Sequence, residues 1–120
     1  MHRTFLLIGG LSGLTGVALG AFGAHALRAR LPADMLAVFE TGVRYQMYHA
    51  AAILAVALAL ARSGGWLMAA AGWCFTAGIV LFSGSLYLLA VTGAGALGAV
   101  TPLGGVAFLL GWACLALAAL

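Results

Sequence analysis

The chain has 120 residues, 66% of them hydrophobic and only 6% charged, with a mean hydropathy of +1.21. A soluble domain carries about a quarter charged residues, so the composition excludes a soluble fold and makes lipid the solvent for the outer surface. The net charge of +3 comes from five scattered arginines set against two acids; this lacks the basic patch that nucleic-acid binding needs, and no nucleic-acid partner is expected.

The first predicted element is a helix over residues 5–24. Met1-His2-Arg3, the apolar run and Ala24-His25-Ala26 together imitate a secretory signal with its cleavage site. A twenty-residue run exceeds the usual signal core and matches the length of a membrane crossing, so a retained span is expected. Gly9, Gly13, Gly16, Gly20 and Gly23 recur at alternating steps of four and three, which puts them on one face. Small residues at that spacing let helix backbones approach in lipid, so the stripe is a predicted packing or oligomerisation surface.

Residues 27–41 read as a polar connector holding Arg28, Arg30, Pro32 and Asp34. Helix is expected from 33 to 61, its first half either lying along the interface or entering the membrane. The purely apolar stretch 50–61 would span roughly 18 Å of a hydrocarbon core about 30 Å thick. To cross, this second helix must extend back to residue 42, carrying Arg44, Gln46 and His49 toward the interior, where polar groups are costly and often functional. Glu40 and Arg44, four apart with the acid first, have the favourable order for a helical ion pair. Tyr45, Tyr48 and Arg44 also fit a plain interfacial anchor, and the two readings stay open. His25, at the end of the first helix, could approach the same layer.

After a turn at 62–65, a third helix is predicted over 66–91, with Trp66 and Trp73 suited to the headgroup region. Its length implies tilt. Ser83, Ser85 and Tyr87 are expected to bond between helices or to line a pocket shared with helix two. Cys74 and Cys114 lie in apolar runs without metal-ligand or disulfide spacing and read as packing residues, so no metal site is expected. Past a Gly/Ala-rich turn, Thr101 and Pro102 mark the N-cap and first residue of a fourth helix over 102–120. Gly9, Gly10, Leu14, Gly16 and Ala18 echo at an offset of 95 as Gly104, Gly105, Leu109, Gly111 and Ala113. Arg3 and Arg62 fall on one side of the membrane and Arg28, Arg30 and Arg44 on the other, so the positive-inside rule favours neither orientation.

Four phrases occur together: Gly20-Ala21-Phe22-Gly23-Ala24-His25, Phe39-Glu40-Thr41-Gly42-Val43-Arg44-Tyr45-Gln46-Met47-Tyr48-His49, Leu81-Phe82-Ser83-Gly84-Ser85-Leu86-Tyr87 and Thr101-Pro102-Leu103-Gly104-Gly105. In these the chain resembles the domain of unknown function 423 family, small bacterial inner-membrane proteins related to a eukaryotic four-helix transmembrane family. The resemblance implies an all-α, integral membrane four-helix bundle in the bacterial inner membrane and no established activity.

The residues themselves favour a non-enzymatic packing, assembly or lipid-binding protein. Its expected partners are membrane lipid, a second copy or another membrane protein, and no cofactor is expected. The alternative is a small transporter or channel lined by His25, Glu40, Arg44, Gln46 and His49. An enzyme using His49 or Glu40 as acid or base ranks behind both, because no nucleophile–base, metal or phosphate-loop motif accompanies them.

Overall fold

A computed structural model describes all 120 residues. It contains four long helices: α1 (His2–His25), α2 (Ala33–Arg62), α3 (Trp66–Thr92) and α4 (Thr101–Leu117). All four, the last taken with the 3₁₀ segment that leads into it (Gly95–Leu117), are long and apolar enough to cross a membrane, and no other arrangement of an apolar chain satisfies its backbone there except a closed barrel. The protein is therefore a four-helix membrane protein. Short 3₁₀ turns at Leu27–Ala29 and Gly95–Ala99 make two of the links. The third is tight because Gly64 and Gly65 adopt φ of +67° and +112°, a region closed to most side chains.

Helix α2 is continuous and starts nine residues before the expected crossing at 42, directly after Pro32, whose extended backbone sets the first turn. Its first half does not lie along the surface. It runs antiparallel to α1 within the bundle, because the glycines of α1 offer room for its side chains. Phe39 fills the space at Gly23, Met47 that at Gly16 and Leu54 that at Gly9; a Cβ at Gly16 would come within 2.5 Å of the Met47 sulfur. The glycine stripe is thus largely taken up by α1–α2 packing inside one chain. Gly13 is the exception, with nothing within 4 Å of where a Cβ would stand. Gly13→Ala should be neutral or stabilising by up to about 1 kcal/mol, the helix-propensity difference, in reversible unfolding from mixed micelles.

On its other side α2 meets α3, and α3 meets α4. Gly42 lies under the Tyr87 ring, Gly78 under Phe108, Gly111 under Phe75, and Gly104 against the backbone of Phe82. The echoed glycines at 9, 16, 104 and 111 are all buried packing positions. Phe5, Ile53, Val56, Phe75 and Phe108 form the apolar centre. Ile79–Ser83 in α3 is a π-helical turn that the residue pattern does not announce. Such wide turns commonly re-aim side chains, and here the turn carries Phe82 and Ser83 to opposite tasks described below. Thr101 is the first helical residue rather than the N-cap, which is Val100, because its hydroxyl is engaged across to α3.

Candidate functional site

The polar residues singled out above separate into three sets rather than one layer. The first set fastens the helices together. Gln46 lies 13 residues into the 30-residue α2, close to the midpoint of the helix, and is 4% exposed. Its Nε2 donates to the Ser12 carbonyl oxygen at 2.9 Å and to Thr15 Oγ1 at 2.8 Å, while Tyr87 donates its hydroxyl to Oε1 at 2.6 Å. The amide orientation follows from chemistry: Ser12 presents a carbonyl, which accepts only, so the nitrogen must face it. One side chain thereby ties α1, α2 and α3.

Ser83, fully buried in the π turn, donates to the Gly42 carbonyl at 2.7 Å and closes α3 onto α2. Ser85 gives its single proton to the Phe82 carbonyl at 2.9 Å, so Thr101 is the donor in the 2.6 Å hydroxyl pair that links α4 to α3. Every buried side-chain nitrogen and oxygen has a partner. In lipid this is what stability demands, since an unpaired group has no water to turn to.

The second set lines a cleft between α2 and α4, about 400 Å³ in volume. His49 forms its inner wall and is 4% exposed. Its imidazole stacks on Phe108 with ring centroids 3.5 Å apart and 7° between planes. The Tyr45 carbonyl, 2.7 Å from Nδ1, can only accept, so the proton sits on Nδ1. Nε2 then carries a lone pair, which accepts the Trp112 indole N–H at 3.2 Å. That indole donates only, so the neutral Nδ1–H tautomer is the one that both partners require. Tyr45, Tyr48 and Phe82 build the rim, with Leu109 and Gly105 on the α4 side. Phe82 reaches the cleft because the π turn swings it toward Tyr45, 4.7 Å away between centroids. Gly105 leaves the cleft open, since nothing lies within 4 Å of where its Cβ would be.

The third set points away from both. His25 is exposed at the last residue of α1, and Glu40 and Arg44 are exposed on the outer face of α2. The expected Glu40–Arg44 ion pair does not form. Turning Gly42, Gln46 and His49 inward sends residues 40 and 44 outward together.

The α4 contribution to the cleft escaped the sequence reading. Gly105, Phe108, Leu109 and Trp112 follow one helical face, a pattern visible in the chain. In an apolar helix that pattern does not distinguish a cleft wall from a lipid-facing side, so it carried no signal by itself.

The family model described as a protein of unknown function (DUF423) matches residues 19–105. The UPF0382 membrane protein YwdK of Bacillus subtilis is 51% identical over 118 residues, covering 98% of this chain and 96% of that protein. A UPF0382 membrane protein of Haemophilus influenzae is 44% identical over 117 residues, 97% of this chain and 93% of its own. The UPF0382 inner membrane protein YgdD of Escherichia coli is 42% identical over 118 residues, 98% and 90% of the two chains. No solved structure matches the chain.

Proposed function

The chain belongs to the DUF423 family of membrane proteins, and from that premise we propose that it is a non-enzymatic lipid-binding protein that takes one apolar chain into the cleft between α2 and α4. The cleft itself is the supporting observation. Its volume of about 400 Å³ lies in the range of ligand sites, its walls are aromatic and aliphatic, and its only inner polar groups, His49 and Trp112, already bond to each other. An acyl or isoprenoid chain asks nothing more of such walls. The exposed phenols of Tyr45 and Tyr48 at the rim suit an ester or phosphate oxygen at the head of that chain.

The same hydrogen bonds weaken the alternatives. A catalytic base needs a free lone pair beside a reacting group, and both nitrogens of His49 are engaged. A transport path needs its polar residues on one lining, whereas His25, Glu40, Arg44, Gln46 and His49 face three directions.

Native mass spectrometry of protein released from mild detergent tests the reading. Wild type should retain one lipid per chain, and Gly105→Leu, which fills the cleft from its open side, should lower that occupancy about tenfold, a loss of roughly 1.4 kcal/mol in binding. Its melting temperature should not move. Equal lipid retention by the two proteins would overturn the proposal.

A further inference from the structure

One face of α2 has no partner anywhere along its length. Ala37, Glu40, Arg44, Tyr48, Ala51 and Ala55 are all exposed, and at 100° per residue they fall within an arc of about 80°. Neither α1 nor α4 covers that arc. As a lone chain the protein therefore presents two unpaired opposite charges on the outer face of a candidate span, one and two turns along α2 from Ala37. Charged side chains on a span almost always face protein or water and pair with another charge. A phosphate headgroup would satisfy Arg44 alone and would be repelled by Glu40.

We propose that this face is a dimer interface between two copies of the chain, packed α2 to α2 about a two-fold axis along the membrane normal. Such an interface is self-complementary, because each residue meets the same patch on the other copy. Two copies in the same membrane orientation bring Glu40 of one protomer alongside its partner's Arg44, and the reverse. The offset between these positions is about 6 Å along the axis, within the reach of a long arginine side chain. Two reciprocal ion pairs then replace four unpaired charges. Below them Ala51 and Ala55, four apart, let the backbones come close. The inference does not depend on occupation of the lipid cleft, whose rim shares Tyr48 with this face.

The charges allow a test that separates this pairing from unspecific association. Two differently tagged copies are co-expressed in native membranes and one tag is captured after mild solubilisation. Wild type should co-purify with wild type. Glu40→Arg with itself and Arg44→Glu with itself place like charges opposite each other, and capture should fall at least about tenfold in each case. Glu40→Arg together with Arg44→Glu restores opposite charges across the axis and should restore capture. Both positions are exposed, and unchanged melting of each variant alone confirms that its fold is intact. Failure of wild type to capture itself would overturn the proposal. So would self-capture by the single variants at the wild-type level, or failure of the mixed pair to recover.

Discussion

Gly104→Ala should lower stability by about 3 kcal/mol, the upper end of what overpacking costs, while Gly105→Ala one residue later should cost less than about 0.5 kcal/mol. A Cβ at Gly104 would overlap the backbone nitrogen of Phe82 and lie 2.7 Å from its Cα. Backbone cannot rotate out of the way as a side chain can. The methyl group could be accommodated only by moving α4 off α3, which would also stretch the 2.6 Å hydroxyl pair between Ser85 and Thr101. At Gly105 the same methyl group enters open space. Unfolding in mixed detergent micelles reads both values, and equal midpoints for the two variants would contradict the close α3–α4 approach.

The second large effect belongs to Gln46. Gln46→Leu preserves size and removes three hydrogen bonds at 2.6–2.9 Å. Interhelical bonds in membranes average about 0.6 kcal/mol and reach about 1.7, so the expected loss is roughly 2 kcal/mol. Tyr87→Phe removes one of the three and should cost about a third as much. Gln46→Glu should be worse than Leu when ionised, because a carboxylate cannot donate to the Ser12 carbonyl and would be a buried, unpaired charge. If Leu, Glu and Phe variants all melt with wild type, the three-helix clasp does not bear on stability.

Several features were legible from residue order alone. Four runs of apolar length, separated by glycine, proline and polar punctuation, were enough for the four spans, since lipid leaves the chain few choices. The shortfall of apolar length in residues 50–61 pointed to Arg44, Gln46 and His49, of which Gln46 and His49 lie buried between helices and Arg44 is exposed. What could not be read was how far α2 rotates about its own axis. At one rotation Glu40 and Arg44 would turn into the bundle and His49 out of it; at the adopted one, His49 turns to Phe108 and Trp112 while the charges turn to the outside. That angle is fixed by which neighbours fit the glycines at 9, 16, 23 and 42, a matter of three-dimensional packing absent from any single helix. The π turn at Ile79–Ser83 was hidden for the same reason, as its widening is tied to Ser83 reaching Gly42 and to Gly104 pressing on Phe82.

The division of labour at Gln46 bears on how the protein is made. Chains enter the membrane N-terminal end first as the ribosome extends them. Once α1 and α2 have paired, the amide nitrogen of Gln46 already has both acceptors, supplied by Ser12 and Thr15. Its oxygen waits for Tyr87, forty-one positions downstream. The α1–α2 hairpin alone thus leaves a single unpaired acceptor halfway along α2, and only the arrival of the third segment in the register that sets Tyr87 against Gln46 satisfies it.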